Sequence, residues 1–90
     1  MNEVVLIVNN KDGLHARPAK DFIKKARAFS SKMTIQNLSR TDSKEVALTP
    51  VGLLNIAVRQ GHTIRIRADG PDEAEALAAL KQLVEENFGE

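Results

Sequence analysis

The side chains with the most chemical promise lie in one short run, Gly13-Leu14-His15-Ala16-Arg17-Pro18-Ala19. His15 stands just ahead of a segment that reads as a helix, where Ser, Thr, Asp or Asn is the usual capping residue and imidazole a mediocre one. An anion carried on that imidazole would meet free N–H groups and the positive end of the helix dipole. Arg17, two residues on, could add a charge-assisted pair. A neutral imidazole is a competent nucleophile near pH 7, and a nearby helix N-terminus disfavours its protonated form. The pattern therefore suits a histidine that takes up a phosphoryl group, with Ala16 and Pro18 supporting the helix start. Pro18 fits a first helical turn because its missing N–H would have no intrahelical partner there. On spacing alone, a loop histidine beside an arginine is more often a plain surface residue, and at this level that alternative stays open.

Composition removes several other chemistries. The absence of Cys excludes a disulfide framework, a thiolate nucleophile and thiolate-bound metals. Two histidines, His15 and His62, are too few for a histidine-built metal site without carboxylates, so neither a metal nor another cofactor is expected. No Gly-rich nucleotide loop is present. The longest apolar run, Val4 to Val8, is far short of the ~20 residues that span a bilayer, and Met1-Asn2-Glu3 lacks the basic region of a signal peptide. A cytoplasmic protein without membrane insertion is the expectation.

The net charge of +1 conceals a segregation. Lys11 to Lys32 holds seven Lys or Arg against two Asp, whereas Asp69 to Glu90 holds seven acids against Lys81 alone. Each block can be a solvated helix face, and the basic one can also be a docking surface for an acidic partner. Nucleic acid would be such a partner. With three Phe and no Trp or Tyr, however, the stacking contacts of single-strand binders are mostly missing, and no nucleic-acid partner is expected.

The elements that must position His15 follow from periodicity. Residues 3–9 are short and β-branched, and read as a buried strand. Ala19, Phe22, Ile23, Ala26 and Phe29 then recur at helical spacing opposite Lys20, Asp21, Lys24, Lys25 and Arg27, predicting an amphipathic helix from about Arg17-Pro18. Met33 to Leu38 reads as a half-buried strand, a polar turn covers 39–44, and Glu45-Val46-Ala47-Leu48 returns as a short antiparallel partner. Thr49-Pro50 offers a cap and a first-turn proline for a short apolar helix that Gly61 is placed to end. Thr63 to Ala68 alternates strictly, with Ile64, Ile66 and Ala68 on the core side and Arg65 and Arg67 facing solvent. Acids in the first turn then open a last helix carrying Leu77, Leu80, Leu83 or Val84, and Phe88. The order β-α-β-β-α-β-α over residues 1–90 predicts one α+β domain. Its architecture is a two-layer open-faced sandwich, a four-stranded antiparallel sheet with three helices on one face.

The run from Gly13 to Ala19, followed by the matching helix and element order, resembles the active-site signature of the HPr family. These are the histidine-containing phosphocarriers of the phosphoenolpyruvate-dependent sugar phosphotransferase system. The resemblance covers essentially the whole chain. It implies that His15 is phosphorylated on Nδ1 by enzyme I, with phosphoenolpyruvate as ultimate donor, and passes the group to an enzyme IIA component. It implies that Arg17 supports the transfer, and that the protein is a carrier and a monomer, not an enzyme with turnover of its own. A regulatory serine often found at the start of the middle helix corresponds here to Thr49, followed by Pro50, and capping alone accounts for a hydroxyl there. The resemblance further implies an apolar docking patch beside the histidine. Val51 and Leu54 are candidates for it, with core positions as the alternative, and Lys20, Lys24 and Arg27 would form a basic rim. Asn37 to Glu45 is longer than the tight turn usual in the family, and His62 matches no motif and reads as an exposed or edge residue. Two rival readings are a non-carrier regulatory module on the same fold, and a small nucleic-acid-binding domain using the basic helix with Arg65 and Arg67.

Overall fold

The computed structural model describes residues 2–89. Its elements are β1 (Asn2–Ile7), α1 (Arg17–Ala26), β2 (Lys32–Asn37), β3 (Val46–Ala47), α2 (Pro50–Ile56), β4 (Thr63–Asp69) and α3 (Glu73–Glu85), followed by a 3-10 turn over Asn87–Gly89. The four strands form one sheet in the order β1-β4-β2-β3, and every neighbouring pair is antiparallel. This is the expected open-faced sandwich.

Strict alternation in β4 explains its central place. Ile64, Ile66 and Ala68 are fully buried on the helix side, against Ile35 of β2 and Leu6 of β1. Phe22, Ile23 and Ala26 of α1, Leu53 and Ile56 of α2, and Ala76, Leu77, Leu80 and Val84 of α3 close the core from above. Each fully buried aliphatic or aromatic side chain contributes about 1.5–3 kcal/mol by leaving water. On the other face Arg65 and Arg67 do not simply point into solvent. Arg65 donates to Gln36 Oε1 at 2.7 Å, and Arg67 bridges Glu3 at 3.2 Å and Glu45 at 3.3 Å. Both are cross-strand ties, which leaves them poor candidates for a nucleic-acid surface.

Several expectations need correction. The first strand ends at Ile7 and is an edge strand, not a buried one: Val5 and Ile7 are 53% and 56% exposed on the open face, and Leu6 alone is buried. A β-branched run cannot reveal whether both faces will be covered. The first helix stops at Ala26, three residues short of Phe29, because the chain must turn towards β2. The return strand is reduced to Val46 and Ala47. Gly61 does not end α2; Ala57 does, with φ 45° and ψ 58° in the left-handed region. Phe88 lies beyond α3, at φ 58° in the 3-10 turn, where its ring reaches Phe22 at a centroid distance of 6.1 Å. His62 is half-buried and bonded: Asn37 Nδ2 lies 3.0 Å from its Nδ1, and the Arg59 N–H donates to the same nitrogen at 3.1 Å.

Helix ends are secured by named side chains. Thr49 Oγ1 accepts from the Gly52 N–H at 3.0 Å, capping α2 as its sequence implies. Gly52 is required by contact, since a Cβ there would lie 2.2 Å from the Ala47 carbonyl oxygen. Asp72, ahead of α3, accepts from the Ser30 and Ser31 N–H groups at 2.7 and 2.9 Å and from the Ser31 hydroxyl. The Ser31 hydroxyl bond, aided by the Ser30 N–H, holds the Asp72 carboxyl below its ordinary pKa. This clamp pins the turn after α1 to the start of α3.

Candidate phosphoryl-acceptor site

The loop carrying His15 is stitched to a loop far away in sequence. The Val8 N–H donates to His62 O at 2.9 Å, the Gly61 N–H to Val8 O at 2.6 Å, Gln60 Nε2 to Asn9 O at 3.0 Å, and the Leu14 N–H to Val58 O at 3.1 Å. Within the first loop, the buried Asn10 side chain donates to Gly13 O at 2.8 Å, and the Gly13 N–H donates to Asn10 O at 3.1 Å. Gly13 has φ +60°, and a Cβ on it would sit 2.4 Å from Val58 O and 2.7 Å from the Arg59 Cα. Only glycine permits that apposition. Leu14 is buried and anchors the segment, so His15 emerges exposed from a fixed base.

Ala16 then turns the chain into α1. It has φ 54° and ψ −125°, a region that glycine favours and that costs an alanine about 1–3 kcal/mol. Its carbonyl accepts the first helical bond, from the Lys20 N–H at 3.2 Å. Alanine carries no capping group, and α1 has no side-chain cap, so the positive end of the helix is left to whatever anion approaches. Pro18 is buried in the first turn and fixes its direction. The Arg17 side chain is 86% exposed and lies 3.8 Å from Asp21, a contact loose enough to leave the guanidinium able to turn towards His15.

His15 shares a shallow depression with Lys11, Asp12, Leu14, Leu53, Leu54, Ala57, Val58, Arg59 and Gln60. Val51 and Leu54 are 68% and 67% exposed on α2, so neither is a core residue; Leu53 and Ile56 fill that role. Lys20, Lys24 and Arg27 border a groove between the two helices, with Ala19, Ile23 and Pro50 as its other walls. Leu54 lines the depression that holds His15, whereas Lys20, Lys24 and Arg27 border a separate groove. Thr49 is exposed and engaged as a cap. Among the described residues no three His, Asp or Glu side chains are grouped to hold a metal ion. Lys11, Arg59 and Gln60 were not foreseen beside His15. No local pattern marks them, since their place depends on the left-handed stop at Ala57 and on the stitched loops.

Comparison with known proteins agrees with this geometry. The family model described as "PTS HPr component phosphorylation site" matches residues 3–86. The phosphocarrier protein HPr of Xylella fastidiosa (strain 9a5c) is 41% identical over 91 residues, covering 100% of this chain and 98% of that protein. The crystal structure of HPr-C-His from Thermoanaerobacter tengcongensis superposes with a TM-score of 0.91 at 41% identity, covering 100% of this chain and 98% of that one. A multiphosphoryl transfer protein of Haemophilus influenzae is 34% identical over 83 residues, and this chain spans 17% of its length. A matching family model over nearly the whole chain, full-length relatives above the 30% level and a shared fold together establish that the chain belongs to the HPr family of the phosphotransferase system.

Proposed function

We propose that this chain is a phosphocarrier that accepts a phosphoryl group on His15 Nδ1 from phosphorylated enzyme I and delivers it to an enzyme IIA component. The observation that carries this reading is the exposed imidazole held on a stitched loop at the uncapped N-terminus of α1. In the acceptance step the Nδ1 lone pair attacks phosphorus, in line with the departing donor imidazole. The donor P–N bond breaks, its electron pair stays with the donor ring, and one P–N bond replaces another. Arg17 and the N–H groups of the first turn of α1 offset the charge on the phosphoryl oxygens. Delivery is the same step with the roles exchanged.

A labile phosphoramidate must be reachable by several partners, which an open, shallow site serves better than an enclosed pocket. Val51 and Leu54 supply the apolar contact for docking, while Lys20, Lys24 and Arg27 attract acidic partner surfaces and give fast, salt-sensitive association. Thr49 serves as a helix cap. The chain works as one domain over residues 1–90, as a monomer, in the cytoplasm. No helix among the described residues is long and apolar enough to cross a membrane.

The test is phosphorylation by cognate enzyme I with phosphoenolpyruvate and magnesium, read by phosphorus NMR and acid lability on the wild type and on His15→Ala. One acid-labile phosphate, absent from a folded His15→Ala protein, is the expected result. A folded wild type that takes up no phosphate would overturn the carrier reading.

A further inference from the structure

The sequence motif places one arginine two residues from His15, and the fold brings another to the same depression. Arg59 lines the same depression as His15, and its backbone is pressed against Gly13, two residues before the histidine. Its position is held from both sides: its N–H donates to His62 Nδ1 at 3.1 Å and its carbonyl accepts from the His62 N–H at 3.0 Å. Asn37, fully buried, donates to Ile56 O at 3.0 Å and meets His62 Nδ1, so this support reaches into the core. Arg40 and Arg67 are occupied by carboxylates, whereas Arg59 is in no salt bridge among the described residues. The charged groups lining the depression besides His15 are Lys11, Asp12 and Arg59. Asp12 alone would repel an incoming phosphoryl group, and the two cations reverse the sign of the local field.

We propose that Arg59 is a second phosphate-binding residue of this site, its guanidinium pairing with the phosphoryl oxygens once His15 is phosphorylated. The proposal rests on the phosphocarrier reading. It adds no bond-making step: the P–N bond forms and breaks as described above, and the guanidinium keeps all its protons throughout. A fork of donors from Arg59 would complement the N–H groups of α1. His62 acts here as a positioning residue, through the Arg59 backbone.

The test uses the full chain and a donor that needs no partner. Wild type, Arg59→Gln, Arg59→Lys and, as a distant control, Arg40→Gln are phosphorylated with phosphoramidate, and the phosphorus signal is followed against pH. Arg59→Gln keeps the backbone N–H that binds His62, so circular dichroism should show an unchanged fold. Loss of a facing cation raises the pH at which the phosphoryl group takes its second charge. The midpoint is therefore expected to move upward in Arg59→Gln, less in Arg59→Lys and not in Arg40→Gln. With phosphorylated enzyme I as donor, transfer to Arg59→Gln should slow about two- to fivefold, the scale of one solvent-exposed ionic contact in a transition state. An unchanged midpoint in a folded, phosphorylated Arg59→Gln protein would overturn the assignment of Arg59 while leaving the carrier reading intact, even if transfer from enzyme I slowed, because the arginine would then serve partner docking. Failure of the wild type to accept phosphate from either donor would overturn both.

Discussion

Replacing Gly13 by alanine tests whether the stitched loops truly carry the site. The new Cβ would fall 2.4 Å from Val58 O and 2.7 Å from the Arg59 Cα, well inside the 3.5–4.0 Å of an ordinary carbon contact. Both obstacles are backbone, so the loops must part by about 1 Å, and the Leu14 N–H to Val58 O bond of 3.1 Å must lengthen or break. A left-handed alanine costs roughly 1–2 kcal/mol, and a buried donor left unpaired adds about 1–3 kcal/mol, so the expected loss is about 2–5 kcal/mol. Gly61→Ala is the matched control. It too has positive φ, +87°, but nothing lies within 4 Å of the added methyl, so only the conformational part remains. The chain has no Trp or Tyr, so urea unfolding followed by far-UV circular dichroism is the suitable assay. Phosphate uptake under conditions where both variants are folded completes it. Gly13→Ala should be less stable than Gly61→Ala by at least about 1 kcal/mol and should accept phosphate more slowly, because His15 and Arg59 have been moved apart. Equal stability and equal uptake in the two variants would refute the argument that this apposition builds the site.

Other consequences follow from single contacts. Thr49→Ala should cost about 1 kcal/mol in urea unfolding, and Thr49→Ser should recover most of it, because the lost interaction is the cap on Gly52. Asp72→Asn should lower stability at neutral pH, with a difference that shrinks in acid. The folded carboxyl titrates below its unfolded counterpart, so its stabilisation is present above the ordinary carboxylate range and fades as pH falls through the depressed value. Thermal unfolding of both proteins between pH 7 and pH 3 checks the sign, and a gap that widens in acid would contradict it. Arg17→Ala should change stability by less than about 0.5 kcal/mol, since the side chain is 86% exposed, yet slow phosphoryl transfer measured by rapid quench.

Local patterns in this chain are strong where one face meets the core. The alternation of Thr63 to Ala68, the helical recurrence of Phe22, Ile23 and Ala26, and the Thr49-Pro50 helix start all depend on a residue and its near neighbours, and each specifies its element and its buried side. The run around His15 was legible for the same reason: histidine, arginine, proline and helix start lie within a few residues. What lies opposite a residue leaves no such trace. The edge position of β1, and hence the exposure of Val5 and Ile7, follows from strand order, which periodicity does not encode. The outward face of Val51 and Leu54 was undetermined because α2 has only seven residues, almost all apolar on either side. Ala57 ends that helix in a conformation expected of glycine, and Phe88 leaves the line of α3, each because packing outweighs local preference. The arrival of Arg59 beside His15 needs the Leu14–Val58, Gly61–Val8 and Gln60–Asn9 hydrogen bonds, made between segments about fifty residues apart. The sequence by itself therefore determined the elements and singled out His15 as the candidate acceptor. Tertiary structure alone decided the site's second wall, because that wall is held by contacts whose partners, about fifty residues apart, meet only when the sheet has closed.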